Sequence, residues 1–132
     1  MRVSSALVAS YAEYVNGRVS IIGAFNAGIN IPTDLPSTQW LGFVCECEFD
    51  EADLGRTLAV DLSLVSPRGQ RFQIWHFAGT VAAAPGLPRG APMRESLVCE
   101  AQVVFQMEGL HSFEFMGSGL SASVPFYVQL VR

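Results

Sequence analysis

The chain has 132 residues, half of them apolar and 15% charged, with a formal net charge of −4. That size suits one domain, residues 1–132, around one hydrophobic core, and the apolar content excludes a disordered chain. All eight basic residues are arginine (Arg2, Arg18, Arg56, Arg68, Arg71, Arg89, Arg94 and Arg132), so Schiff-base catalysis and a Walker-type phosphate loop, which need lysine, are excluded, and no clustered footprint for nucleic acid is present.

The first expected element is a hairpin over Ala6–Ile31. Two apolar-rich runs flank Asn16-Gly17, the dipeptide that best tolerates positive φ at both centres of a type I′ turn. Met1-Arg2 and Val3–Ala9 have the faint outline of a secretory leader, but serines interrupt the run and it leads straight into the hairpin, so a strand is expected. Pro32 to Ser37 breaks the pattern, because two prolines cannot sit in a central ladder. The third strand is Gln39–Phe49. Leu41, Phe43, Cys45, Cys47 and Phe49 share one face, and Val44, Glu46 and Glu48 point the other way.

Asp50–Gly55 reads as a polar loop with room for one helical turn. The fourth strand, Thr57–Val65, turns Leu58, Val60, Leu62 and Leu64 inward, and Ser66-Pro67-Arg68-Gly69 is a turn. The fifth strand is Arg71–Val81. Strict alternation places Arg71, Gln73, Trp75 and Phe77 on one face, opposite Phe72, Ile74 and His76. Ala82–Pro92, rich in proline and glycine, is a long loop and a candidate for function. The sixth strand, Glu95–Met107, buries Leu97, Cys99, Ala101, Val103 and Phe105; His111–Met116 and Ser121–Val131 complete the set.

About eight short strands without crossover helices predict an all-β fold. The expected architecture is a two-sheet antiparallel β-sandwich with Greek-key-like connections and little or no helix. The stretches ASYAEYVNGRVSIIGAF (Ala9–Phe25), LGRTLAVDLSLVSPRG (Leu54–Gly69), PGLPRGAP (Pro85–Pro92) and GLHSFEF with SVPFYV (within Gly109–Val128) resemble a family of small bacterial single-domain proteins of unknown function. The resemblance covers nearly the whole chain. It implies a single β-sandwich and brings no catalytic residue with it.

No catalytic constellation is legible: there is no Gly-x-Ser-x-Gly elbow and no nucleophile paired with a base at recognisable spacing. Cys45 and Cys47, with Cys99, read as reduced core thiols, since C-x-C within a strand splays its sulfurs along the sheet. His76 is expected in a core or interface, and His111, just past a turn, on the surface. The acidic run Glu46–Asp53 reads as a solvated acidic edge that discourages sheet pairing.

No metal or cofactor is expected. No apolar run approaches the roughly 20 residues of a membrane span, and three unpaired cysteines suit the cytoplasm. Low charge and outward aromatics point to a non-catalytic interaction or assembly module, a homodimer or a complex subunit. The expected interface is Arg71, Gln73, Trp75 and Phe77, with Trp40 as a further outward ring. The alternative is a carbohydrate or small-ligand binder that stacks sugars on Trp75 or Trp40.

Overall fold

A computed structural model describes residues 1–32, 34–83 and 85–131. Thr33 of the expected break, Ala84 of the long loop and Arg132 lie outside the described residues. The described residues form nine strands and one short turn of 3-10 helix: β1 (Arg2–Val15), β2 (Arg18–Ala24), β3 (Gly28–Ile31), β4 (Ser37–Phe49), η1 (Glu51–Asp53), β5 (Thr57–Val65), β6 (Arg71–Thr80), β7 (Met93–Phe105), β8 (Gly109–Gly117) and β9 (Leu120–Leu130). Among the described residues there is no α-helix.

The strands form two packed sheets, ordered β2-β1-β4-β7 and β3-β9-β8-β5-β6. The β5–β6 hairpin of one sheet is flanked in sequence by β4 and β7, which pair in the other, a Greek-key-like winding. The alternating residues read from the sequence fill the space between the sheets: Leu41, Phe43, Cys45 and Cys47 from β4, Leu58 to Leu64 from β5, and Leu97 to Phe105 from β7. Phe105, Phe113 and Phe126 meet at its centre, with Phe105 stacked on Phe126 at 5.8 Å between ring centroids.

Asn16 and Gly17 adopt φ of 52° and 73°, as a type I′ turn requires, and β1 and β2 pair directly across them. The second arm of this hairpin ends at Ala24, short of the expected Ile31. The chain then crosses to the other sheet, where β3 pairs with β9 in parallel, the one departure from antiparallel pairing among the described residues. Gly28 is obligatory in that contact, because a Cβ there would lie 1.9 Å from the Tyr127 carbonyl oxygen.

β1 follows β4 from Arg2 to Ala9 and then leaves it. Its next residues cross the outer side of β4 at Gly42, where a Cβ would stand 2.5 Å from the Ala12 nitrogen. Beyond this crossing the β1–β2 ribbon packs little on the rest of the molecule, and every β2 residue except Val19 is exposed.

The acidic run does not lie on an edge. Glu46 and Glu48 occupy the outer face of a central strand, β4, where Glu48 pairs with Arg2 at 2.5 Å and Ser5 donates to Glu46. Asp50 opens the expected helical turn as its N-cap. Asp53 is buried and accepts from the Asp50 backbone at 3.1 Å, the Met1 ammonium at 3.1 Å and Arg56 at 3.0 Å. The Asp50 amide, then the ammonium and Arg56, hold its carboxyl down at about 2, against the opposing effect of burial.

Candidate functional site

One extra residue in β6 decides the site. β5 and β6 pair in simple register from Thr57–Thr80 to Leu62–Trp75, and the next pair is Ser63–Gln73. Ile74 has no partner and forms a β-bulge, so alternation changes phase there. Arg71 and Gln73 face outward as expected. Trp75 and Phe77 do not: past the bulge they share the inner face with Leu62 and Val60, while His76 turns outward.

Phe77 is buried and stacks near Phe115 at 6.5 Å, so it belongs to the core and not to a surface patch. Trp75 lies at the rim of the same face, 44% exposed because β6 is an edge strand. Outside, Arg71 pairs with Glu114 at 2.5 Å, and Asp61 receives His76 Nδ1 at 2.6 Å and Gln73 at 3.3 Å. Trp40 stands on the outer face of the opposite sheet, 63% exposed, beside Gln102 of β7.

The sandwich is open between its edge strands β6 and β7. A groove of about 260 Å³ runs there, lined by Leu64, Phe72, Gln73, Ile74, Gln102, Val103, Val104 and Gln106. A smaller recess of about 40 Å³ continues it, sharing Leu64, Phe72, Val104 and Gln106 and reaching Ser66, Gln70, Met107 and His111. The floor is aliphatic and aromatic. The polar lining is mostly glutamine amide, and no carboxylate or arginine takes part.

The groove's rim carries half-exposed Phe72 and Val104. Val104 pairs with Thr38, one diagonal step from Trp40, so the apolar band continues from the groove onto the outer face of the other sheet. The structure therefore relates Trp40 and the β6 rings through a shared end of the sandwich, not a shared face. Gln73, expected at an interface, does line the groove; Phe72, Ile74, Val104, Gln102 and Gln106 carried no sequence signal for this role, because they meet only when the two edges are brought together.

His111, expected at the surface, is 2% exposed. It alternates with Phe113 and Phe115 and lies edge-on to Phe105 at 5.3 Å. Its Nδ1 lies 3.0 Å from the Gly109 carbonyl and can only donate to it, which leaves Nε2 as an acceptor in the neutral ring. Burial depresses its pKa, and the Gly109 hydrogen bond opposes that only in part.

Cys45, Cys47 and Cys99 are buried and unpaired. The hydrogen bond with Cys47, followed by burial, drives the Cys45 pKa far up; burial and nearby Glu100 raise Cys99 to about 12. Among the described residues no three His, Cys, Asp or Glu side chains are grouped to hold a metal ion, and no helix is long and apolar enough to cross a membrane.

These features define a small all-β sandwich domain with an uncharged cleft between two sheet edges. The chain belongs to the family of unknown function DUF6941, whose model matches residues 4–129. Neither a curated protein nor a solved structure matches it significantly.

Proposed function

We propose that this protein is a non-catalytic interaction module that receives an apolar, extended segment of a protein partner in the groove between β6 and β7. The observation that carries the reading is the groove itself: an uncharged, apolar cleft bordered by two edge strands. The bulge in β6 and the charges on β7 oppose a full added strand, so the segment engages through its side chains, with at most short stretches of edge backbone. The volume of about 260 Å³ falls below the usual 300–1,000 Å³ of small-molecule sites, and suits one or two anchoring side chains. Thiols kept as such fit work in a reducing compartment such as the cytoplasm.

Selection from a library of random extended peptides tests this. Bound sequences should carry apolar anchors, shift the backbone amide resonances of Phe72, Gln73, Gln102 and Gln106, and lose at least about tenfold in affinity on Val104→Arg, which sets a long charged side chain on the rim that an apolar anchor must cover. Enriched peptides that shift amides elsewhere, or no enrichment at all, would refute the reading. The glutamine amides beside the Phe72 ring also suit sugar hydroxyls, which favours carbohydrate as a second reading. A glycan panel that moves the same resonances where peptides do not would establish it.

A further inference from the structure

Each sheet has two edges, and three of the four carry a feature that blocks strand addition. β3 is only four residues long, β6 is interrupted by the Ile74 bulge, and β7 bears Arg94, Glu95 and Glu100. β2 has none of these. Its sequence, Arg-Val-Ser-Ile-Ile-Gly-Ala, holds one charge, at its first position, and no proline. Its ribbon also leaves Tyr14, Val15, Ile21 and Ile22 between 40% and 64% exposed. A two-stranded ribbon with so little to pack on is marginal alone.

We infer that β2 pairs with β2 of a second copy across a two-fold axis, joining two four-stranded sheets into one of eight. The register follows from the turn. A two-residue type I′ turn makes Val15–Arg18 a hydrogen-bonded pair, and so Glu13–Ser20 and Tyr11–Ile22 as well. Val19 and Ile21 are left with their N–H and C=O on the free edge. Gly23, at φ 66°, ends the usable edge. Symmetric antiparallel pairing is then centred on Ser20, with Val19 opposite Ile21 of the second copy.

This register is self-consistent in chemistry. One face gains an unbroken apolar row: Tyr14, Val19, then Ile21 and Ala12 of the second copy. The single charge, Arg18, falls opposite Ile22 and never opposite its own copy, so no like charges meet directly. A foreign strand would have to reproduce this match; a second copy supplies it by symmetry. The inference does not rest on the β6–β7 groove.

Sedimentation equilibrium and cross-linking test it. The wild-type protein should be dimeric at micromolar concentration, and Ile21→Lys should weaken association at least tenfold with an unchanged circular dichroism spectrum. Ser20→Cys should form an intermolecular disulfide on mild oxidation, because the two Cα atoms would face each other about 4.5 Å apart in a non-hydrogen-bonded pair; Ser121→Cys, also exposed, on β9, should not. A wild-type monomer at about 100 μM, a dimer indifferent to Ile21→Lys, or Ser20→Cys oxidising no faster than Ser121→Cys would overturn it. Val104→Arg should leave the dimer intact, which separates this result from failure of the groove reading.

Discussion

Replacing Gly42 by alanine tests how the hairpin is carried over the sheet. The added Cβ would lie 2.5 Å from the Ala12 nitrogen, 2.8 Å from the Tyr11 carbonyl carbon and 2.9 Å from the Ala12 Cβ. Carbon contacts settle near 3.5–4.0 Å, so β1 must retreat by roughly 0.6–1 Å, and it can do so only by moving backbone. Overpacking of this kind costs about 1–3 kcal/mol, and the entropy recovered by losing a glycine offsets roughly 0.5–1 kcal/mol. The net expectation is about 1–2 kcal/mol of destabilisation.

Gly79 provides the matched comparison. It also lies in a strand, but nothing stands within 4 Å of its would-be Cβ and its φ is not left-handed. Gly79→Ala should stabilise by about 0.5 kcal/mol. In urea, with a slope of about 1.5 kcal/mol per molar, the midpoint should fall by roughly 1 M for Gly42→Ala and rise by about 0.3 M for Gly79→Ala. If Gly42→Ala is as stable as Gly79→Ala, then β1 does not cross β4 as described.

Phe77→Ala should cost about 3–4 kcal/mol, as a buried ring does, whereas 63%-exposed Trp40→Ala should change stability by less than about 0.5 kcal/mol; thermal melts compare the two. His111 has a folded-state pKa below its ordinary value, so the unfolded chain binds the extra proton: stability should be full above about pH 6.5 and decline as the pH falls from there, and His111→Gln should flatten the profile between pH 7 and 5. Asp53 acts in a separate window. Its carboxyl is held at about 2, so its contribution is present above the ordinary carboxylate range near 4 and is lost as the pH drops towards 2, a loss absent from Asp53→Asn. A thiol reagent should leave Cys45, Cys47 and Cys99 unlabelled in the native protein and label all three in denaturant; rapid native labelling of Cys99 would contradict its burial.

The sheets were legible wherever alternation ran unbroken. Leu41 to Phe49, Leu58 to Leu64 and Leu97 to Phe105 each keep a period of two, and each fills the core as read. β6 was legible as a strand but not in its facing, because a bulge leaves no mark in residue types and inverts everything beyond it. β3 was absorbed into the opening hairpin: Gly-Ile-Asn-Ile continues the same composition, and only the fold shows it pairing with β9, about a hundred residues later in the chain. His111 was readable, since it shares the alternation of Phe113 and Phe115, but its place beside a turn outweighed that signal. Of the groove only Gln73 had been singled out, because its two walls are distant in sequence and meet only through packing of the sheets.

The bulge at Ile74 also divides β6 into two parts that answer to different demands. Before it, Phe72 and Ile74 line the groove; after it, Phe77 is committed to the core. In an uninterrupted strand Phe72 and Phe77 would lie on opposite faces; the extra residue lets Phe72, opposite Leu64, and Phe77, opposite Val60, both turn to the inner side. Here an unpaired residue separates them. Phe72 at the half-exposed rim can therefore be exchanged while Phe77, buried on the same side of the strand, continues to hold it in place.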